Sequence, residues 1–109
     1  SIFSQAKELQ KVSLQFHWLD QFEFAGYYIA KEKGFYEDVG LAVEFKTYKY
    51  GMDVTKELTS GNATYAIGGS DLILDISNGA DISMLAAIFQ SSPLILLTTG
   101  KSGIKSITF

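Results

Sequence analysis

The 109-residue chain has no cysteine and no arginine, and proline, histidine and tryptophan occur once each, as Pro93, His17 and Trp18. Without cysteine there can be no disulfide, no thiol nucleophile and no thiolate-held zinc. A single histidine also excludes a multi-histidine metal site within the chain, so no metal and no cofactor is expected. The nine basic residues are all lysines, scattered singly or in close pairs, and the net charge is −3. No basic stripe exists to neutralise a phosphate backbone, so nucleic acid is not expected as a partner. The longest apolar runs, MLAAIF and PLILL, fall far short of the roughly 20 residues that a membrane-spanning helix needs.

Catalytic signatures are missing as well. No serine stands in a nucleophile elbow, and Asp20 is the nearest acid that follows the lone His17. The glycines of GNATYAIGGS match neither a dinucleotide fingerprint nor a phosphate-binding loop, whose lysine is absent. The acidic pair Glu37–Asp38 reads as a solvated turn. No catalytic residues are assigned, and the chain is not expected to be an enzyme.

What is present is an ordinary globular mixture, 47% hydrophobic and 19% charged, of a length that suits one domain. Aromatic residues make up 14%, a heavy load that favours a ligand-facing or partner-facing surface, since tyrosine suits places where one end of a ring stays wet. The N-terminal SIFSQAKELQK reads as a mature end left by signal removal or as the start of a cloned segment. KSGIKSITF stops on apolar residues without a cap or polar tail, so the chain reads as a piece of a longer protein.

Periodicity divides the chain into alternating elements. Val12, Leu14 and Phe16 alternate with Ser13, Gln15 and His17, the period of a strand over 11–17. From Phe22 the period lengthens, with Phe22, Ala25, Tyr28 and Ile29 on one helical face, Lys31 and Lys33 in the last turn and Gly34 as the stop. Phe22, Phe24, Tyr28 and Ile29 are expected to form the packing face of that helix. GFYEDVG makes a short turn, LAVEFKTY a second strand, residues 53–60 a helix before Gly61, and TYAIG a third, buried strand. Ser70 is placed to cap a helix running to Asn78, with Gly79 past its end. ISMLAAIFQ and PLILLTT read as a fourth and a fifth strand covered on both faces, with Pro93 at a strand start. The order β-α-β-α-β-α-β-β predicts an α/β fold, a mostly parallel open sheet with helices on both faces.

Such sheets bind ligands beyond the carboxyl ends of their strands, which directs attention to four loops. These are His17 to Gln21, Tyr48 to Gly51, Gly68 to Asp71, and Phe89 to Ser92. GGSD brings backbone N–H groups of a helix start close to a ligand, or else it merely turns the chain and caps the helix. Asp71 already occupies the helix dipole, which argues against a strongly anionic ligand. His17 and Trp18 offer an aromatic platform for a planar heterocycle, or else a strand end packed on a neighbour.

The segments LQFHWLDQFEFAGYYIAKEKGFYEDVGLAVEF, YAIGGSDLILDISNGA, LAAIFQSSPLILL and SGIKS closely resemble, in order and spacing, the thiamine-pyrimidine-precursor-synthesis-like family of type 2 periplasmic solute-binding proteins. The resemblance spans residues 12–106. It implies that residues 1–109 are the N-terminal part of lobe one of a two-lobed domain, with lobe two and the returning hinge outside this chain. The implied function is extracytoplasmic, periplasmic capture of a small organic solute such as a pyrimidine or a sulfonate. The implied partners are an ABC permease or, because Trp18, Gln21, Phe22, Phe24, Ala25, Gly26, Tyr27 and Tyr28 match a sensor-fused variant, a fused transmembrane signalling domain. The ligand-binding residues it implies are His17, Trp18, Gln21, Gly69, Ser70, Asp71, Phe89, Gln90 and Ser91. The family's fungal pyrimidine synthases use a cysteine-rich iron motif and a sacrificial histidine, so the missing cysteines count against that enzymatic alternative. Asp20 stands where many relatives have Pro or His, which leaves the ligand open, and SITF departs from the usual crossover. Self-association through a bare apolar surface is the remaining alternative.

Overall fold

A computed structural model describes residues 8–106. The terminal stretches 1–7 and 107–109, on which the readings of the chain ends partly rest, lie outside the described residues.

The sheet has three strands, β1 (Gln10–Gln15), β2 (Leu41–Lys46) and β3 (Tyr65–Ala66), in the order β2-β1-β3. Both pairings are parallel, with Val12 opposite Val43, Leu14 opposite both Phe45 and Tyr65, and Gln15 opposite Ala66. The connections from β1 to β2 and from β2 to β3 run in opposite directions across the sheet. Right-handed crossovers therefore put their helices on opposite faces, as the alternating pattern predicts. The short β3 is reinforced by a reciprocal pair beside it: Ser13 N–H donates to Thr64 Oγ1 at 3.1 Å, and Thr64 N–H donates to Ser13 Oγ at 3.0 Å.

The first crossover opens with a 3-10 turn at Phe22–Phe24 and continues as α1 (Ala25–Glu32). Gly34, at φ 75°, ends it in the left-handed region that glycine enters without a steric penalty. A one-turn helix α2 (Phe35–Asp38) leads into β2. The core lies where β1 meets this crossover. Phe16 is fully buried and Phe24 is 1% exposed, their rings stacked 4.6 Å apart, with Phe45, Tyr27 and Tyr28 around Phe16. Burial of a phenylalanine on this scale contributes about 3 kcal/mol. The expected packing face needs correction, because of its four residues only Phe24 is buried: Tyr28 is 38% and Ile29 52% exposed, and Phe22 is 91% exposed. The tighter 3-10 winding at Phe22–Phe24 rotates it out of the stripe that the 3.6-residue period assigned to it.

The second crossover carries α3 (Val54–Thr59), capped by Asp53, whose Oδ1 accepts the Lys56 N–H at 3.0 Å. After β3 comes α4 (Asp71–Ser77), bound to α3 by a hydrogen bond from Thr55 Oγ1 to Asp75. The expected cap at Ser70 is not formed. Ser70 has helical backbone angles, φ −67° and ψ −15°, and its side chain accepts no N–H. A residue already wound into the turn cannot swing its hydroxyl back across the helix end as an extended N-cap residue does.

Residues 81–99 form neither strand. A strand exists through its ladder, and among the described residues neither apolar run pairs with β3 or with the other. Leu94 to Leu97 are 75–84% exposed rather than covered on both faces. The radius of gyration is 19.2 Å, against about 13 Å for a compact hundred-residue domain. The apolar load of 82–97 thus stays bare, a patch of the kind that marks an interaction surface.

Candidate functional site

Because all three strands are parallel, their exits open on one edge of the sheet. Two further bonds carry the ladder to that edge, Phe16 N–H to Lys46 O at 3.0 Å and Ile67 N–H to Gln15 O at 3.0 Å. The loops after β1, β2 and β3 therefore start side by side, and three of the four loops expected to line a crevice are in place.

Gln15 locks the first two together. It is fully buried, and its Nε2 donates to Phe16 O at 2.9 Å, Lys46 O at 3.1 Å and Thr47 O at 3.2 Å. The three acceptors share two N–H groups, and their clustering fixes the amide orientation, since the reverse flip would turn an oxygen toward three oxygens. These carbonyls belong to the residues just ahead of His17 and Tyr48. Gln15 Oε1 is buried without a partner. Sequence periodicity placed Gln15 among the polar positions of a strand and gave no sign of this clamp; a polar residue at a strand's last position, just before the loop, was the available signal.

His17 turns its ring edge onto Phe24, centroids 5.6 Å apart, and its Nε2 lies 3.9 Å from Glu23 Oε1. Its Nδ1 is buried without a partner. The ring thus packs on the core through Phe24, and the side chain keeps an exposed fraction of 35%. Trp18 is 43% exposed and stacks on Tyr48, centroids 5.4 Å apart at 29°, while Tyr50 meets it edge-on at 6.0 Å. Tyr48 and Tyr50 also meet edge to face at 6.0 Å. The turn that presents Tyr50 is closed by Met52 N–H donating to Lys49 O at 3.0 Å, with Gly51 at φ 80°, the positive angle a type II turn requires at its third position. Tyr48 and Tyr50 were visible in TYKYG as members of a strand-end loop, but nothing in spacing showed that they would reach Trp18.

Gln21 is exposed just ahead of the 3-10 turn, where its carbonyl accepts from Phe24 N–H at 3.0 Å. Nearby, Tyr28 Oη donates to Asp20 Oδ1 at 2.6 Å, and this bond to the carboxylate, ahead of burial, pushes the Tyr28 phenol up to about 12. At the third exit, Asp71 folds back over the turn. Its Oδ1 lies 2.7 Å from where a Cβ on Gly69 would stand. A Cβ on Gly68 would meet the Leu72 side chain, which would have to shift. With a carboxylate in its mouth, this turn is set against an anion, in keeping with the reading of Asp71 from its position.

Phe89, Gln90 and Ser91 are not brought to this edge as the exit of a fourth strand, because that strand is not formed. They are exposed, and Gln90 Nε2 makes only a local bond, to Ala87 O at 2.7 Å. Two shallow hollows lie elsewhere, one over Val12, Val43 and Lys31 and one between Tyr28, Ile29 and Glu37. The strand-exit edge is thus an open aromatic platform rather than an enclosed pocket. Among the described residues no group of acids and histidine could hold a metal ion, and no helix is long and apolar enough to cross a membrane.

Comparison with known proteins agrees with this architecture. The family described as NMT1/THI5 like matches residues 21–108. The riboflavin-binding protein RibY of Chloroflexus aurantiacus is 27% identical over 103 residues, covering 91% of this chain and 29% of RibY. The chain thus spans less than a third of the length of that relative. No solved structure matches it. A family match over most of the chain, on a parallel α/β sheet with its loops gathered at one edge, shows that the chain belongs to the NMT1/THI5-like family, with the type 2 periplasmic binding fold.

Proposed function

We propose that this chain is the N-terminal part of lobe one of an extracytoplasmic, two-lobed solute-binding protein, and that its strand-exit edge is one lip of the ligand cleft. The observation that carries this reading is the meeting of His17–Trp18, Tyr48–Tyr50 and Gly69–Asp71 at the carboxyl ends of three parallel strands, where open α/β sheets bind ligands. His17, Trp18, Gln21, Gly69, Ser70 and Asp71 form the proposed lip. Solute capture by the family and the name of the riboflavin-binding relative support a small organic ligand.

The output of capture is delivery to an ABC permease or signalling through a fused transmembrane domain. The gene decides between these: a membrane span followed by a signalling domain in the same reading frame supports the sensor, and neighbouring permease and ATPase genes support the importer. Binding itself is tested by thermal shift of the full-length protein against flavins, pyrimidines, amino acids, sulfonates and dicarboxylates. A ligand bound only by the folded state raises the melting temperature with its concentration. Silence across all five classes would sink the reading, and multiple-turnover conversion of any of them would replace it with an enzyme.

The bare apolar segment 82–97 favours a second reading, in which this chain alone associates with a second copy of itself. Sedimentation of the 109-residue chain across a concentration series tests it, a constant monomer mass counting against it.

A further inference from the structure

We infer that Asn78 is a site of spontaneous deamidation, and that its product releases the end of α4 from α3. The inference goes beyond solute binding and does not depend on it. The chain contains two asparagines, Asn62 and Asn78, and Asn78 alone is followed by glycine. The reaction needs no partner but water. The backbone nitrogen of Gly79, on losing its proton, attacks Asn78 Cγ; the bond from Cγ to the side-chain nitrogen breaks, ammonia leaves, and a succinimide ring closes. Water then adds to one carbonyl of the ring and opens it, to aspartate when the main-chain amide re-forms or to isoaspartate when the side-chain carbonyl keeps the nitrogen. The net change is the gain of one water and the loss of one ammonia. A side chain on residue 79 would crowd the attacking nitrogen, and glycine has none.

The fold sets both the exposure of this site and its gate. Ser77, Asn78 and Gly79 are exposed, and a Cβ placed on Gly79 would meet no atom, so water reaches the dipeptide freely. In the wound state the attacking nitrogen is engaged, because Gly79 N–H donates to Ile76 O at 3.0 Å. A ψ of 5° at Asn78 also sets that nitrogen beside the residue's own N rather than its Cβ. Reaction therefore waits for the last turn to unwind. The helix resists this weakly: α4 has seven residues, its Ser70 cap is not formed, and Ile73 and Leu74 are 55% and 66% exposed. A helix end with few buried apolar contacts opens at little cost in free energy. Asn62 is the internal contrast, since the next residue, Ala63, is 5% exposed and its N–H donates to Glu57 O at 2.9 Å. The product then acts on α4. A carboxylate at position 78 puts negative charge at the helix C-terminus, where the macrodipole disfavours it. Isoaspartate also adds a carbon to the main chain between Asp75 and Ala80, whose N–H donates to Asp75 O at 2.9 Å. Asp75 is the residue that takes the Thr55 hydroxyl bond, so the tie from α4 to α3 is lost with the turn.

The test is incubation of the full-length protein at mildly alkaline pH, folded and in urea, followed by peptic digestion in acid and peptide mass spectrometry. Isoaspartate in each peptide is counted by enzymatic methylation. The peptide holding Asn78 should gain the one dalton of an amide-to-acid change, with isoaspartate among its products. Its rate in the folded protein should lie within about tenfold of the rate in urea, because a fraying helix end opens readily. The peptide holding Asn62 should stay unmodified over the same interval, as should residue 78 in Asn78→Gln, whose longer side chain cyclises far more slowly. Amide exchange of the aged protein should accelerate at Ala80 and through α4 and α3, relative to fresh protein and to Asn78→Gln aged alongside it. An Asn78 that stays intact in the folded protein, whether or not it converts in urea, would overturn the assignment. Equal conversion of Asn62 would overturn it too. Conversion of Asn78 with unchanged exchange in α4 and α3 would overturn the release of the helix.

Discussion

Trp18 lies stacked on Tyr48, centroids 5.4 Å apart, although a complete helical crossover separates the two residues in the chain. The contact depends on the β1–β2 register, and it places a fluorescent ring where the two loops meet. Replacing Tyr48 with Ala should uncover the indole and move the Trp18 emission to longer wavelength, with little change in far-ultraviolet circular dichroism. An unchanged spectrum would mean that the stack is not kept in solution.

Gln15 ties the exits of β1 and β2 through three carbonyls. Gln15→Leu keeps the volume but leaves Phe16 O and Thr47 O short of a donor, while Lys46 O keeps the Phe16 N–H, a cost of about 1–3 kcal/mol. Urea denaturation should show that loss, and amide exchange at His17 and Tyr48 should accelerate more than exchange in α3.

Phe24 and Phe22 are two residues apart and opposite in fate, 1% and 91% exposed. Phe24→Ala should cost about 3–5 kcal/mol by opening a cavity against Phe16. Phe22→Ala should change stability by no more than about 0.5 kcal/mol, as exposed substitutions do. Equal effects in a urea series would contradict the 3-10 winding at this helix start.

The helix starts differ in the same testable way. Asp53→Ala should destabilise by about 1 kcal/mol through loss of the Lys56 N–H bond. Ser70→Ala, whose hydroxyl accepts no helix N–H, should leave the melting temperature nearly unaltered.

The Tyr28–Asp20 bond sets a pH dependence. The phenol must stay protonated to donate, and its folded value of about 12 lies above the ordinary 10.0. A raised value means that the contribution is fully present below pH 10 and is lost as pH rises toward 12. Phenolate absorbance should show one tyrosine titrating near the upper value in wild type, and Asp20→Ala should bring it down toward 10. No late-titrating tyrosine in wild type would show that the bond does not form.

Much of this architecture was legible in the sequence because it is local. The alternation of Val12, Leu14 and Phe16, the glycines after each helix and the lengthened period around Ala25 and Tyr28 each follow from a few neighbouring residues. Strand-exit positions followed from those elements, so His17, Trp18 and Gly69 to Asp71 could be named in advance as neighbours on one edge. Contacts set by register between distant segments could not, which is why the Gln15 clamp and the reach of Tyr48 and Tyr50 to Trp18 were missed. The cap at Ser70 failed for a finer reason: the sequence shows a capping residue type but not whether its backbone is extended or already wound. The two apolar runs after Ala80 illustrate the opposite limit, since composition shows a segment's need for cover without showing which surface supplies it.

The order β2-β1-β3 makes the earliest strand among the described residues the middle one. During synthesis β1 is made before either of its partners, one complete only at Lys46 and the other only at Ala66. Until then Val12 and Phe16, the heart of the later core, travel beside open backbone, the combination that invites misassociation. Both edges of β1 are thus paired only once Tyr65–Ala66 has docked, more than fifty residues after β1 itself is made.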